Sequence, residues 1–243
     1  MCRMIAYVGK GDAGLPRLFS AFREGSKCDP YVAPALGPEY TCHPNGWGYA
    51  IYDGLNLHHF RSSRPVWEEE VQLPAVAGQT VYAIFHSRLA SDPRLKSPIS
   101  SHPFIAPTDE AILLLAHNGG VEEDEPAVKG VVDSEWALGV IAKAGSLKKA
   151  LPLLKERTRR NSALNLIVLA IPRNQAAPPE VHCLNYFKTE DAGRKAYYTM
   201  YRAEAGNGEV FFSSTFKPLG LSGLGRIQEA PFGQLFSLGL PAW

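Results

Sequence analysis

The chain has 243 residues, of which 45% are apolar and 20% charged, and its formal net charge is +1. This composition is ordinary for a soluble globular protein, and so small a charge gives no field that would attract nucleic acid or an anionic membrane surface. No apolar stretch reaches the ~20 residues of a membrane span, and no secretory signal is seen. The charge runs at residues 122–125 and 157–160 are interpreted as solvated faces.

The cysteines predict a reduced, cytoplasmic protein. They form no disulfide framework and no Cys-x-x-Cys pair. Their spacing relative to the histidines fits no structural zinc pattern, and core or surface roles are expected for these side chains. The length suffices for a buried core, and we expect one domain over residues 1–243. The four cysteines are Cys2, Cys28, Cys42 and Cys183.

The first part of the chain predicts strands with one early helix. Residues 5–8 form a short apolar run typical of a strand, and apolar residues at helical spacing predict a helix over 15–24. Residues 28–44 are rich in proline and glycine and predict a loop. Further strands are predicted over residues 48–52, 55–60, 81–85 and 112–116.

Two helices follow, over residues 134–144 and 147–156, the second opening after Ser146, a good N-cap. Strands then return at residues 164–171, 181–187, 197–203, 210–213 and 235–238. Strand meanders with helices in a block favour antiparallel sheets with helices packed outside them.

Cys2 follows Met1 directly and is small enough for an aminopeptidase to remove that methionine. The processed chain would begin with a thiol and a free α-amine on one residue, with reference pKa values of ~8.5 and ~8. One residue would then supply both nucleophile and general base, as N-terminal threonine nucleophiles do. A small second residue also arises by chance, so this pattern alone is a weak signal.

Polar or glycine residues interrupt the apolar strand signals at four places, where functional groups are often displayed. Asn45-Gly46-Trp47-Gly48 is either a site wall or an ordinary turn with a core tryptophan. Arg88, after the strand at 81–85, suits a bidentate carboxylate contact or a structural ion pair. Asn118-Gly119 offers two donors for an oxyanion hole or is a common turn. Asp133 either caps the next helix or binds an ammonium group.

Together and in this order, these motifs resemble the class II glutamine amidotransferase domain, which belongs to the N-terminal nucleophile hydrolases. The resemblance covers nearly the whole chain, and the segment at residues 98–104 also resembles the one that follows the arginine motif in the family. It implies an α+β fold, a four-layer αββα sandwich of two antiparallel sheets flanked by helices. The chain departs from the family where Leu89 replaces a usual tryptophan, Ser91 a threonine and Asp92 a glycine. The short stand-alone members are the most similar, among them the γ-glutamyl amidohydrolase of ergothioneine biosynthesis.

The resemblance also implies a role for each motif residue. Cys2 attacks the side-chain amide of a γ-glutamyl group and forms a thioester that water hydrolyses. The mechanism that the resemblance implies requires neither a metal nor an organic cofactor. The oxyanion is held by Asn118 and the Gly119 N–H, each such donor typically being worth ~3 kcal/mol. The remaining residues bind the substrate: Arg88 its α-carboxylate, Asp133 its α-ammonium, and Trp47 and Gly48 the pocket wall.

Three functions stay open on the sequence. The first is an amidohydrolase acting alone on glutamine or a larger γ-glutamyl conjugate. The second is a glutaminase subunit that passes ammonia to a separate synthase chain, and the third is a catalytically silent γ-glutamyl-binding scaffold. A small-molecule substrate is expected in each case, with no nucleic acid or membrane partner, and a homodimer is left open.

Overall fold

The computed structural model describes residues 1–11, 14–90, 92, 95–123, 132–174, 176–219 and 224–240. Ser91, Asp124 and Glu125, which belong to sequence patterns named above, lie outside these residues. The helices are α1 Gly14–Lys27, α2 Val32–Leu36, α3 Asp133–Ala144, α4 Leu147–Glu156 and α5 Ala192–Tyr198. The strands are β1 Cys2–Lys10, β2 Trp47–Tyr52, β3 Leu57–Ser62, β4 Thr80–Arg88, β5 Phe104–Pro107, β6 Ala111–Gly119, β7 Ser162–Pro172, β8 Glu180–Leu184, β9 Phe187–Lys188, β10 Met200–Glu204, β11 Glu209–Ser213, β12 Gln228–Glu229 and β13 Leu235–Leu238.

These strands form two antiparallel sheets. The first has the order β12-β10-β11-β1-β4-β2-β3, and the second has the order β13-β8-β7-β6-β5, with β9 also pairing with β7. In the first sheet β1 is central, between β11 and β4. In the second, β6 pairs with β7 along its whole length. The start of β1 is therefore held by β4, with Cys2 opposite Arg88, while the pairing with β11 begins at Ile5.

The alternation of side chains along the central strand explains the layers. Ile5 and Tyr7 pack with α1 residues on the outer face of the first sheet. Met4, Ala6 and Val8 pack against the second sheet. The opposite face of the second sheet is covered by α3 and α4. The predicted four-layer αββα sandwich is thus confirmed.

Most of the predicted elements are present, with displaced ends. Ser146 caps α4 as predicted, accepting a bond from Lys149 N at 3.3 Å. The strand predicted over residues 197–203 is wrong at its start, because residues 197 and 198 end helix α5. Asp191 caps that helix by accepting a hydrogen bond from Arg194 N at 2.8 Å. The tyrosines at 197 and 198 favoured a strand in the sequence, so this helix start was not predicted. The predicted loop at 28–44 contains α2, and β5 was not predicted.

None of the helices among the described residues is both long enough and apolar enough to cross a membrane.

Candidate active site

A cavity of about 470 Å³ lies where both sheets and α3 meet. Its lining includes Cys2 from the start of β1, Arg88 from the end of β4, Gly119 from the end of β6 and Asp133 from the start of α3. Cys2 and Arg88 are direct partners in the antiparallel register of their strands. The fold therefore brings together residues that are far apart in the chain.

Asn118 holds the backbone of the candidate nucleophile. Its Oδ1 accepts a hydrogen bond from Cys2 N at 2.8 Å, and both residues are buried. Its Nδ2 is also buried but has no hydrogen-bond partner among the described residues. A buried donor without an acceptor costs about 1–3 kcal/mol, so it calls for an explanation such as a bound substrate oxygen.

Gly119 occupies a position that only glycine fits. Its φ is +149°, a region that side chains rarely adopt, and a Cβ there would meet the Ala163 carbonyl oxygen at 1.7 Å. The absence of a side chain lets the end of β6 pack directly against β7 beside Asn118.

The turn before β2 fixes the arginine at the end of β4. Gly46 O accepts from Arg88 N at 2.8 Å, and Arg88 O accepts from Asn45 N at 2.9 Å. The Arg88 guanidinium donates from Nη1 to Leu95 O at 2.7 Å. One of its five donors is thereby used to orient the group, which also lines the cavity.

Asp133 ties α3 to the segment that follows β6. It is the first residue of α3, while Val132 is the N-cap and makes no side-chain capping bond. The Asp133 carboxylate instead accepts from Val121 N at 3.1 Å through Oδ2. Helix capping is therefore not the role of Asp133, which lines the cavity.

The Cys2 thiol is acidic. Burial raises its pKa, but the N-terminal ammonium, His86 and Arg88 outweigh burial and lower that pKa from 9.0 to about 6. A substantial fraction is therefore thiolate at neutral pH, and the thiolate is the nucleophilic form of cysteine.

Three buried histidines surround the nucleophile, and the sequence prediction missed them. The rings of His86 and His102 have centroids 3.9 Å apart. His86 Nε2 donates to His117 O at 3.2 Å, and His117 Nδ1 bonds with Ser134 Oγ at 2.9 Å. Burial lowers the pKa of His102 and of His117, so both imidazoles are neutral at pH 7. The sequence did offer a signal for two of them, because His86 lies two residues before Arg88 and His117 lies directly before Asn118.

Trp47 and Gly48 are not among the residues that line the cavity, in contrast to the expectation that they form its wall. The Trp47 side chain is fully buried in the core between α1 and the first sheet, and Nε1 donates to Glu69 Oε2 at 2.5 Å. Gly48 is the register partner of His86, and a Cβ there would meet His102 O at 2.3 Å. Gly48 thus allows the close approach of the segment that carries His102.

A family model described as glutamine amidotransferases class-II matches residues 34–170, more than half of the chain. The chain belongs to this family. The matched range contains Arg88, Asn118, Gly119 and Asp133, while Cys2 precedes it.

Solved structures of amidotransferases share the fold. Glutamine phosphoribosylpyrophosphate amidotransferase from B. subtilis is 16% identical, with a TM-score of 0.62 over 97% of this chain and 47% of that one. The allosteric regulatory enzyme of purine biosynthesis gives the same identity, TM-score and coverage of this chain, and 46% of its own. This chain therefore spans about half the length of both. A predicted glutamine amidotransferase from Pseudomonas aeruginosa is 15% identical, with a TM-score of 0.48 over 100% of this chain and 96% of that one. A search of the curated proteins gives no match.

The amidotransferase cavity has a second group of residues that the sequence prediction missed. Arg159 and Arg160, interpreted above as a solvated face, line the cavity together with Arg194 of α5. Periodicity gave no hint of this, because Arg159 and Arg160 lie in the loop between α4 and β7. Within the described parts of the chain, no three metal-ligating side chains converge in a way that could hold a metal ion.

Met1 occupies one end of the amidotransferase cavity. Its ammonium donates to Leu89 O at 2.8 Å, and its carbonyl accepts from Leu89 N at 2.6 Å. Its sulfur accepts a bond from Tyr198 Oη at 2.9 Å. Leu89, which stands where the family usually has tryptophan, thus contacts Met1 as a continuation of the β1–β4 pairing.

Proposed function

We propose that this chain, once Met1 has been removed, hydrolyses the side-chain amide of glutamine or of a γ-glutamyl conjugate. The observation that carries the proposal is the 2.8 Å bond from Cys2 N to Asn118 Oδ1, made beside an unpartnered Asn118 Nδ2. One side chain thereby holds the nitrogen that becomes the α-amine and carries a buried amide donor that no described residue uses.

The α-amine is the general base in this proposal. Removal of Met1 converts the bonded peptide nitrogen of Cys2 into an amine that stays hydrogen-bonded to Asn118 Oδ1. The amine accepts the thiol proton as the sulfur attacks the amide carbon, and it gives that proton to the leaving nitrogen. A γ-glutamyl thioester and a free amine, or ammonia, result. Water then hydrolyses the thioester and regenerates the thiol.

Asn118 Nδ2 and the Gly119 N–H stabilise the tetrahedral intermediate. Their donors face the charge that develops on the carbonyl oxygen, and preorganised donors of this kind act strongly because they need not reorient during the reaction. The Gly119 backbone packs closely against Ala163, and this contact holds the Gly119 N–H in place.

The substrate's amino acid end is held by two opposite charges. Arg88, already oriented by Leu95 O, binds the α-carboxylate, and Asp133 binds the α-ammonium. The pairing selects a zwitterionic γ-glutamyl group over a simple amide. Trp47 and Gly48 contribute from outside the cavity. Trp47 packs in the core between α1 and the first sheet, and Gly48 leaves room for the segment that carries His102.

An ammonia-supplying subunit is the second candidate. The two solved structures with TM-scores of 0.62 are about twice as long as the part that this chain matches. In this second candidate, the chain hydrolyses glutamine and passes the ammonia to a synthase chain. Glutamine hydrolysis that rises only when such a chain is added would favour this candidate.

The test measures glutamate release from glutamine and from γ-glutamyl amides. Alanine at position 2 still allows removal of Met1, so Cys2→Ala lacks only the thiol and should fold but release no glutamate. Asn118→Ala should lower kcat about 100-fold with a smaller change in KM, since its donor acts in the transition state. Asn174→Ala, in an exposed turn, is the matched control. Full turnover by Cys2→Ala would rule the proposal out.

A further inference from the structure

The cavity holds more positive charge than a γ-glutamyl group needs. Its described lining contains the bases Arg88, Arg159, Arg160 and Arg194 and the acids Glu123 and Asp133. In the proposed function, Arg88 and Asp133 are matched by the substrate's carboxylate and ammonium. Three arginines then face one remaining carboxylate.

Contacts with nearby backbone groups position Arg159 and Arg194. Arg159 N donates to Gly120 O at 2.9 Å, and its side chain lies against Gly120, where a Cβ would be 3.3 Å from Arg159 Cδ. Arg194 Nη1 donates to Asn161 O at 2.7 Å. Asn161 has a φ of 57°, a turn conformation that directs this carbonyl to the guanidinium.

The guanidinium of Arg194 is oriented but not neutralised. No carboxylate among the described residues pairs with Arg159, Arg160 or Arg194 within 4.0 Å. Arginine stays charged at every working pH and presents five donors in a fork that matches carboxylate and phosphate. The bond to Asn161 uses one donor of Arg194 and leaves the others for an anion.

Met1 lies on the same side of the cavity as these arginines. Tyr198, which bonds to the Met1 sulfur, is the last residue of the helix that carries Arg194. Loss of Met1 would open the space between the Cys2 thiol and this basic wall, and would free the Tyr198 hydroxyl. A substrate whose amide carbon is at Cys2, and whose amino acid end is at Arg88 and Asp133, has its leaving amine as the part left to fill that space.

We propose that Arg159, Arg160 and Arg194 form an anion subsite for the leaving amine, so that the preferred substrate is a γ-glutamyl conjugate of an amine bearing a carboxylate or a phosphate. The inference rests on the proposed function and names its substrate class. The reaction is a hydrolysis: the γ-amide C–N bond breaks, the anionic amine leaves with the proton that the α-amine relays, and water completes glutamate.

The test compares pairs of substrates in which one member carries the anionic group and the other lacks it. γ-Glutamyl-glycine and γ-glutamyl-glycinamide form one pair, and γ-glutamyl-phosphoethanolamine and γ-glutamyl-ethanolamine form the other. The anionic member of at least one pair should have a kcat/KM about tenfold higher or more, as expected for a charge-assisted hydrogen bond. The pair with the larger ratio tells carboxylate from phosphate.

Variants assign the preference to the arginines. Arg160→Gln and Arg194→Gln should each bring the charged-to-neutral ratio toward one. Arg160 is exposed, so its variant tests the subsite even if loss of the Arg194 bond disturbs folding. Arg17→Gln, at an exposed position of α1 outside the cavity lining, should keep the ratio.

The outcomes separate the inference from the function. Equal kcat/KM within both pairs, or a preference that survives both arginine variants, would overturn the subsite and leave the amidohydrolase standing. Absence of hydrolysis with every substrate and with glutamine would overturn the proposed function and the inference with it.

Discussion

At the scale of single residues, the Cys2 thiol gives the most direct prediction. Its pKa of about 6 predicts that alkylation by iodoacetamide has its midpoint near pH 6, well below that of a free thiol at ~8.5. His86→Ala removes one of the groups that lower this pKa and should move the midpoint upward. Mass spectrometry of the N-terminal peptide counts adducts separately on chains with and without Met1. A midpoint above pH 8 in the Met1-bearing peptide would contradict this electrostatic account.

Gly119 gives a prediction about backbone space. Gly119→Ala should lower the free energy of unfolding by more than about 2 kcal/mol, because its Cβ would overlap the Ala163 carbonyl and its φ is unfavourable. Gly139→Ala is the control, since that glycine lies in α3 with nothing within 4 Å of the added atom. It should stabilise by about 0.5–1 kcal/mol through helix propensity. Denaturant midpoints measure both, and equal effects would refute the steric argument.

Much of the site could be predicted at this scale because its residues stand at strand ends. Arg88, Gly119 and Asp133 line one cavity, and the roles that the resemblance implies for them stay predictions. Trp47 does not line the cavity. A tryptophan between glycines gives the same sequence pattern in a hydrophobic core as in a cavity wall, so the sequence alone could not distinguish the two. The cavity arginines at 159 and 160 were missed for the opposite reason, because a basic loop usually faces solvent.

At the scale of elements, a buried ion pair fixes the start of β1. Arg3, next to Cys2, donates to Asp29 from Nε at 2.6 Å and from Nη2 at 3.1 Å, and from Nη1 to Tyr197 O at 2.7 Å. Asp29 follows α1 and also bonds to His43 at 2.7 Å and to Thr215 at 2.5 Å. The segment after α1, the end of α5 and the strand of the nucleophile thus meet at one buried ion pair.

Removal of this carboxylate should be costly. Asp29→Asn leaves the Arg3 charge buried without its counterion and should destabilise the protein by about 3–5 kcal/mol. Glu190→Gln breaks the exposed pair with Lys195 and should cost less than about 1 kcal/mol. Chemical unfolding of both variants checks this. A similar small loss in both would mean that the buried pair does not hold the strand.

The sequence predicted most helices and strands where the apolar periodicity was strong. It did not predict the role of segments whose conformation depends on tertiary contacts. Residues 28–44 looked like a featureless loop, yet they supply Asp29 and His43 to the buried cluster. No local pattern distinguishes those residues from solvated ones, because their partners are on β1 and near residue 215.

At the scale of the whole molecule, stability should rise with pH from acid to alkaline. Burial lowers the pKa of His43 from 6.5 to about 4, so the unfolded chain binds more protons between these values. The stabilisation is complete above pH 6.5 and is lost as pH falls toward 4, by about 3 kcal/mol at most. The Cys2 thiol, with its pKa lowered from 9.0 to about 6, adds a slope of the same sign between pH 9 and 6.

Two variants divide this pH dependence. His43→Gln should reduce the slope between pH 4 and 6.5, to which His102 and His117 also contribute because burial lowers their pKa values. Cys2→Ala should reduce the slope between pH 6 and 9. Urea unfolding at several pH values measures both. A free energy of unfolding that does not change between pH 4 and 9 would show that neither buried group titrates as the structure indicates.

The intact mass of the purified chain, before and after treatment with a chloroketone analogue of glutamine, decides whether Cys2 is a mature N-terminal nucleophile. We predict a mass lower by one methionine, then a single adduct located on Cys2 and absent from Cys2→Ala. A chain that keeps Met1 and takes up no adduct at Cys2 would contradict it, because the α-amine would then be tied up in a peptide bond.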